Sequence, residues 1–235
     1  MAELAFPGAV LFDLDGTFAD TAPDMAAALN RLLARYDRAP VALEQARSHV
    51  SSGSRGMLAV GFGIGPDDPD YVRLRDEYLA LYAADIHQDT CLFPGIDDLI
   101  ESLEALGLCW GIVTNKPAWL TDPLLEAMAL TKRPACVVSG DTAARPKPHP
   151  DPLLHACEVI ERDPQASWYV GDDQRDIEAG RAAGMRTLAA LYGYLGVETP
   201  PHEWGADGLL EHPLELLQFL DFALPDSVEN RSPDR

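Results

Sequence analysis

Two carboxylates, Asp13 and Asp15, stand at the end of an apolar run and just before a glycine, in the sequence VLFDLDGTFAD of residues 10–20. Such a run predicts a buried strand, and open α/β sheets bind ligands beyond the carboxyl ends of their strands. Because side chains two residues apart share a face of a strand, both acids are expected to face the same side. Carboxylates held this close repel each other and need a metal ion, a cation or a shared proton to compensate them.

Two further motifs could bind an anion. Thr114 ends an apolar run in GIVTNKP, and its hydroxyl and the nearby backbone N–H groups could hold a phosphate at the N-terminus of the next helix. Lys147 is presented by the proline-rich segment RPKPHP just before another helical pattern. Taken singly, a helix cap for Thr114 and a surface cation for Lys147 are the more common explanations.

A fourth motif, WYVGDDQRDI, ends a predicted strand with Asp172, Asp173 and Asp176. Acids at the start of a helix are often only favourable partners of its dipole. In one parallel sheet, however, all four motifs converge on one edge, where acids can hold a metal and donors can hold an anion. Oxygen ligands beside a phosphate are the environment that Mg²⁺ prefers.

Short apolar runs alternate with amphipathic segments through most of the chain, and this alternation predicts an α/β fold with a parallel sheet and helices on both faces. The predicted strands are 9–12, 109–114, 136–139, 167–171 and 187–191, and the predicted helices are 97–106, 118–130, 151–161 and 174–184.

One region departs from this alternation. Residues 21–88 contain several patterns of apolar residues at spacings of three and four, which predict helices with one buried face. We therefore predict a core formed by residues 1–19 and 90–227, with a small helical domain at 20–89 inserted after the first strand. Residues 228–235 are polar and are expected to fray.

The composition excludes several classes of partner. A net charge of −20 and a pI near 4.4 argue against nucleic acid and anionic membranes, which both require basic surfaces. The four cysteines include no Cys-x-x-Cys pair, so a zinc site is not expected. With no apolar stretch long enough to span a bilayer, we expect a cytoplasmic protein, monomeric or homodimeric.

The four motifs, in this order and spacing over residues 10–184, resemble those of haloacid dehalogenase (HAD)-superfamily phosphatases of the phosphoglycolate phosphatase-like branch. The resemblance implies a HAD-like Rossmannoid core with an inserted C1-type helical cap domain. It further implies that Asp13 is the nucleophile that forms an aspartyl-phosphate and that Asp15 is the acid/base. Thr114 and Lys147 would bind the phosphoryl group, and Lys147 would also restrain Asp13.

The same resemblance implies a Mg²⁺ site. Its ligands would be Asp13, the main-chain carbonyl of Asp15, and Asp172, with Asp176 as a further ligand or directly behind them. Many relatives have a small hydroxyl residue at position 173, so Asp173 is interpreted as an acid at a helix N-terminus. Asp20 and Asp24 are interpreted as caps of the first inserted helix.

The resemblance also suggests a small phosphorylated metabolite as the substrate. Asn115 and Arg55 are candidate substrate-binding residues, Arg55 because it could bind a substrate carboxylate from the turn SSGSRG. Gly-Asp-Asp-Gln-Arg-Asp, followed by Tyr-Gly-Tyr at 192–194, resembles the N-acetylmuramic acid 6-phosphate phosphatases. This similarity favours that substrate over 2-phosphoglycolate. Both carry a carboxylate, so the size of the pocket is what could separate them, because the sugar needs the roomier one.

Three rival functions share parts of this pattern. A β-phosphoglucomutase-like enzyme would use the same core residues and return the phosphoryl group to a second hydroxyl. A dehalogenase would need Asp13 but not Asp15. A phospho-accepting receiver module also combines acids, a threonine and a lysine, but it has about half this length as a single domain and no helical insertion after its first strand.

Overall fold

The computed structural model describes residues 8–196 and 199–221. Strands in that part of the chain are β1 (Ala9–Phe12), β2 (Ala19–Asp20), β3 (Cys91–Leu92), β4 (Cys109–Val113), β5 (Val137–Val138), β6 (Trp168–Gly171), β7 (Arg186–Ala190) and β8 (Gly208–Leu210). Helices there are α1 (Ala22–Arg35), α2 (Leu43–Arg47), α3 (Gly53–Phe62), α4 (Tyr71–Ala84), α5 (Ile96–Ala105), α6 (Ala118–Ala127), α7 (Asp151–Val159), α8 (Gln174–Ala182) and α9 (Leu216–Asp221).

A six-stranded sheet in the order β5-β4-β1-β6-β7-β8 forms the core, and its described pairings are all parallel. The predicted α/β fold is therefore confirmed. The β1 strand lies in the middle because all four of its residues are apolar and fully buried. Phe12 pairs with Ile112 of β4 and with Val170 of β6, so the residues that follow these three strands emerge at one edge.

Helices cover both faces of this sheet. Because side chains alternate along a strand, Val10 and Phe12 belong to one hydrophobic cluster while Leu11 belongs to another. The larger cluster continues into α1 and α4, and the smaller one includes Leu153 of α7 and Ala179 of α8. A strand buried on both faces reads as a continuous apolar run, as the sequence of β1 does.

Helices α1 to α4 form the helical insertion, the segment Ala22–Ala84 between β2 and β3. They pack on one another, with α1 in contact with the other three. The helices predicted in this region are thus confirmed. The two connections to the core pair with each other as a short antiparallel ribbon, with Ala19 opposite Leu92, which the sequence did not reveal because each strand has only two residues.

The interpretation of Asp20 and Asp24 as helix caps is wrong. Asp20 accepts two hydrogen bonds from Arg47 of α2, at 2.8 and 2.9 Å, and so ties the ribbon to the helical insertion. The buried carboxylate of Asp24 accepts hydrogen bonds from the backbone N–H groups of residues 88–90 and from the Thr90 hydroxyl at 2.6 Å. Both acids therefore join chain segments that are distant in sequence.

The five predicted strands are present, with ends that differ by at most one residue, and the predicted helices end one to three residues early. Strand β8 and helix α9 were missed because each is short and follows a segment rich in turn-forming residues. The fraying predicted for 228–235 lies outside the described residues. No helix in the described part of the chain is both long and apolar enough to cross a membrane.

Candidate active site

Asp13 lies directly after β1, where its backbone N–H donates to the carbonyl of Val170 at 2.9 Å. This bond extends the pairing with β6 by one residue and fixes the direction of the side chain. Its Oδ1 accepts a hydrogen bond from Lys147 Nζ at 2.8 Å. Burial raises the pKa of Asp13 to about 7, although the charge of Lys147 opposes the shift.

Lys147 is buried and its ammonium faces four acceptors. They are Asp13 Oδ1 at 2.8 Å, Asp176 Oδ1 at 2.6 Å, Tyr169 Oη at 2.7 Å and the Val113 carbonyl at 3.1 Å. An ammonium has three N–H donors, so it has no donor to spare here. Burial alone would lower the pKa of Lys147, but the charges of Asp13 and Asp176 raise it to about 12, so Lys147 is positively charged.

Asn115 holds the backbone of Lys147. Its Oδ1 accepts from the Lys147 N–H at 2.9 Å, and its Nδ2 donates to the Lys147 carbonyl at 3.0 Å. The sequence suggested Asn115 only as a substrate-binding residue. The structure adds a positioning role, because both polar groups of the amide are engaged by the loop that carries the lysine.

Asp13, Asp172 and Asp176 form a buried cluster in which one carboxylate oxygen from each lies within 4.8 Å of the others. Burial raises the pKa of Asp172 well above its usual range, and the neighbouring Asp13 and Asp176 add to the shift. Two of these three acids, Asp13 and Asp176, contact the ammonium of Lys147. Carboxylate oxygens packed with too little positive charge are a donor set that fits a hard divalent cation such as Mg²⁺.

Helix α8 begins at this cluster. Asp173 is its N-terminal cap and accepts a hydrogen bond from the Arg175 N–H, while Asp176 Oδ2 accepts one from the Asp173 N–H at 3.1 Å. This reciprocal pair is a capping box. The interpretation of Asp173 as an acid at a helix N-terminus is confirmed. Asp176 is held so that its other oxygen faces Lys147.

Asp15 points away from the acid cluster. Its Oδ1 accepts hydrogen bonds from Thr21 Oγ1 at 2.6 Å and from Lys116 Nζ at 2.7 Å. Lys116 is buried. Burial alone would lower its pKa, but the charge of Asp15 raises it well above the usual range. The side chains of Asp13 and Asp15 are therefore compensated by two different lysines.

A cavity of about 290 Å³ lies between this edge of the sheet and the helical insertion. Asp13, Asp15 and Thr114 line it on the core side. The Thr114 hydroxyl accepts from the Lys116 N–H at 3.1 Å, and its own proton is available to a ligand. Arg55 is exposed and reaches the cavity from α3.

The structure thus brings Asp13, Asp172, Asp176 and Lys147 together. The predicted site residues that line the cavity are Asp13, Asp15, Arg55, Thr114, Asn115, Lys147 and Asp176. The structure adds contacts that sequence reasoning missed. Asp172 accepts hydrogen bonds from the Thr17 hydroxyl at 3.0 Å and from the Tyr194 N–H at 2.9 Å. The segment with Tyr194 carried a family resemblance, but no feature of the sequence indicated that it touches Asp172.

Such an arrangement suits phosphoryl transfer. A buried carboxylate that lines the cavity, fixed cations beside it and a second carboxyl group nearby can supply positioning and charge neutralisation, which that reaction chiefly requires.

Comparison with known proteins agrees with this chemistry. The family model of haloacid dehalogenase-like hydrolases matches residues 10–190. N-acetylmuramic acid 6-phosphate phosphatase of Pseudomonas aeruginosa is 42% identical over 223 residues, which cover 93% of this chain and 96% of that protein. A phosphoglycolate phosphatase of Xylella fastidiosa is 46% identical over 209 residues, which cover 89% of this chain and 91% of that protein.

Solved structures share this fold. The crystal structure of a predicted phosphoglycolate phosphatase from Haemophilus somnus superposes with a TM-score of 0.80 at 23% identity, covering 92% of this chain and 99% of that one. The family match and the similarity to named phosphatases each extend over most of the sequence. They show that the protein belongs to the haloacid dehalogenase-like hydrolases and is a phosphatase.

Proposed function

We propose that this phosphatase hydrolyses small phosphomonoesters in two steps through an aspartyl-phosphate on Asp13, with Mg²⁺ as its cofactor. The observation that carries the proposal is the Asp13 carboxylate at the cavity floor, 2.8 Å from Lys147 Nζ. Lys147 is itself fixed by Asp176 and by the Asn115 amide. The nucleophile is therefore oriented before any substrate arrives.

In the first step an Asp13 oxygen bonds to phosphorus as the bond to the ester oxygen breaks, and Asp15 gives that leaving oxygen a proton. The Thr114 hydroxyl and the Lys147 ammonium stabilise the charge on the phosphoryl oxygens. In the second step Asp15 takes a proton from water, which attacks the phosphorus and releases phosphate and the Asp13 carboxylate. Dividing the reaction in this way replaces one difficult displacement by two easier ones.

The cofactor would be held by Asp13, Asp172 and the main-chain carbonyl of Asp15, with Asp176 as a further ligand or directly behind them. Bound Mg²⁺ would neutralise charge on the phosphoryl oxygens. The donor set supports this assignment, because three buried carboxyl groups share the cluster Asp13–Asp172–Asp176 with a single ammonium, that of Lys147.

We propose N-acetylmuramic acid 6-phosphate as the substrate and residues 20–89 as the cap domain that selects it. The cavity, at about 290 Å³, is near the lower end of ligand pockets at ~300 Å³, in keeping with a small phosphorylated metabolite. Met25, Tyr78 and Leu120 give it apolar walls on which a sugar ring can pack. Two relatives named for this substrate are 42% identical.

The second candidate is 2-phosphoglycolate, which several relatives at 45–46% identity are named for. Arg55 and Asn115 are proposed to contact the part of either substrate that lies away from the reacting phosphorus. Both candidates carry a carboxylate, so the charge of Arg55 does not separate them.

The test is Mg²⁺-dependent phosphate release from the two esters at matched concentrations, with kcat/KM as the readout. A higher kcat/KM for the sugar acid is the expected result, and a higher value for 2-phosphoglycolate would replace the proposed substrate by the second candidate. Loss of all release in Asp13→Asn, with an unchanged circular dichroism spectrum, is expected for the nucleophile. Turnover by that variant near the wild-type rate would refute the mechanism.

A further inference from the structure

Two polar groups in the cavity have no part in the mechanism above. One is the ammonium of Lys116 on the core side, and the other is the hydroxyl of Tyr82 on α4 of the helical insertion. Lys116 Nζ lies 4.8 Å from the centre of the Tyr82 ring, so the two residues meet across the boundary between core and insertion. Both are buried, at 8% and 1% exposure.

Lys116 has unused hydrogen-bonding capacity. Among the described residues, Asp15 Oδ1 at 2.7 Å is the acceptor within hydrogen-bond distance of its ammonium. An ammonium carries three donors. Even with one of them turned towards the neighbouring Tyr82 hydroxyl, at least one remains for a ligand. Leaving a buried donor unsatisfied is costly, which makes an acceptor from the cavity favourable.

The Tyr82 hydroxyl also has unused hydrogen-bonding capacity. Its hydroxyl is buried and makes no hydrogen bond within the part of the chain that the structure describes. Burial raises the pKa of Tyr82, so the hydroxyl keeps its proton and can donate it. An anion between Lys116 and Tyr82 would satisfy donors on both sides of the cavity.

The other cations at the cavity are committed elsewhere or more exposed. Lys147 faces four acceptors of the core. Arg175 is bound to the carboxylate of Asp173 and to the Ser51 carbonyl. Arg55 is exposed, and water weakens its interaction with an anion. Lys116 is the buried cation of this cavity with donors to spare in the described structure.

We propose that Lys116 and the Tyr82 hydroxyl form the subsite that binds the carboxylate of the substrate. This inference rests on the proposed function, which supplies a carboxylate-bearing phosphate ester, and it names the residues that distinguish such an ester from a neutral one. Since Lys116 also donates to Asp15, the subsite connects substrate recognition to the proposed acid/base. Because Tyr82 belongs to the helical insertion, the carboxylate would be bound by both parts of the protein.

The experiment measures discrimination between esters that differ in the carboxylate. The pairs are N-acetylmuramic acid 6-phosphate with N-acetylglucosamine 6-phosphate, and 2-phosphoglycolate with ethyl phosphate. The readout is the ratio of kcat/KM within each pair, which a general loss of activity does not change. The test variants are Lys116→Met and Tyr82→Phe. The control is Lys132→Met, the same substitution at a lysine in an exposed turn.

The relevant pair is the one whose carboxylated ester has the higher kcat/KM with the wild type. We expect Lys116→Met to lower the kcat/KM ratio of that pair, carboxylated over uncarboxylated ester, by ~10- to 100-fold, as the loss of a charged hydrogen bond predicts. Tyr82→Phe, which removes a single oxygen, should lower it by roughly 3- to 10-fold. Lys132→Met should leave it at the wild-type value. Tyr82→Phe also keeps the inference testable if Lys116→Met fails to fold.

Equal losses on both esters of a pair, with the ratio preserved in folded Lys116→Met and in Tyr82→Phe, would overturn the subsite. The subsite would also be overturned if Arg55→Met alone lowered the ratio, since the carboxylate would then bind at α3. A failure of the proposed function would be distinguishable, because the wild-type protein itself would then turn over neither carboxylated ester.

Discussion

The side chain of Asn115 binds both polar groups of the Lys147 backbone, accepting from its N–H at 2.9 Å and donating to its carbonyl at 3.0 Å. The same arrangement occurs in the helical insertion, where Asn30 accepts from the Val41 N–H at 2.8 Å and donates to the Val41 carbonyl at 3.0 Å. The two residues of each pair are 11 positions apart for Asn30 and 32 for Asn115. Of the two loops, the one held by Asn115 carries a residue that lines the cavity, Lys147.

Asn115→Ala is therefore expected to lower kcat by ~100-fold, since a displacement of about 1 Å at a catalytic group has that effect. Asn30→Ala removes the same two hydrogen bonds and is the matched control. Steady-state kinetics and thermal unfolding of both variants separate the effects. We expect both variants to be destabilised to a similar extent and only Asn115→Ala to lose kcat. An equal loss of kcat in both variants would show that Asn115 contributes only to general stability.

A second prediction concerns the pH dependence of stability without metal. The pKa of Asp13 is raised to about 7 in the folded protein, mainly by burial, against about 3.9 in an unfolded chain. Between these values the unfolded chain gives up its proton and the folded protein keeps it. Asp13 therefore destabilises the fold progressively as pH rises from about 4 to 7, by at most ~1.4 kcal/mol per pKa unit.

Urea unfolding in EDTA at several pH values, for the wild type and Asp13→Asn, measures this effect. The free energy of unfolding of the wild type relative to the variant should fall between pH 4 and 7 and then level off. Added Mg²⁺ should restore it above pH 7, by ~2.7 kcal/mol at one hundred times its dissociation constant. A difference between the two proteins that does not vary with pH would contradict the assigned pKa.

Sequence reasoning located the part of the site that follows from sheet topology. Asp13, Thr114 and Asp172 come directly after β1, β4 and β6, and neighbouring parallel strands deliver such residues to one edge without further information. The contacts of Asp15 could not be found in this way. They depend on the connections that follow β1 and β4, which bring Thr21 and Lys116 to its carboxylate. The position of Tyr82 beside Lys116 depends on how the helical insertion packs on the core, which no local pattern encodes.

Asp24 supplies a third prediction, on the connection between core and insertion. Burial alone would raise the pKa of Asp24, but hydrogen bonds from Thr90, Gln88 and Asp89 lower it below its usual range. Asp24→Ala should reduce the free energy of unfolding by about 2–3 kcal/mol at neutral pH, because the buried N–H and hydroxyl of Thr90 and the half-buried N–H groups of residues 88 and 89 lose their acceptor. Thr90→Val removes the hydroxyl alone and should cost about 1 kcal/mol.

The contribution of Asp24 should be present above about pH 4 and disappear as pH falls through its lowered pKa, since the protonated acid accepts these bonds poorly. Urea unfolding of the wild type and Asp24→Ala at pH 7 and pH 3 tests this sign. Destabilisation by Asp24→Ala that is larger at pH 3 than at pH 7 would show that the carboxylate is not the stabilising form.

The last prediction separates the two proposed roles of the aspartates. Asp15→Asn removes the proton donor and acceptor but leaves Asp13 bound to Lys147 at 2.8 Å. With 4-nitrophenyl phosphate, whose leaving group departs without a proton, the variant should still transfer the phosphoryl group to Asp13. Hydrolysis of that intermediate needs a base for water and should slow by ~10²- to 10⁴-fold.

A burst of about one nitrophenolate per enzyme, followed by slow turnover, is the expected time course, and intact-protein mass spectrometry should detect one added phosphoryl group. The double variant Asp13→Asn, Asp15→Asn should show neither, because the attacking oxygen is lost. A burst in the double variant would place the covalent step on another residue, while slow turnover without a burst in Asp15→Asn would show that Asp15 limits the first step even with this leaving group.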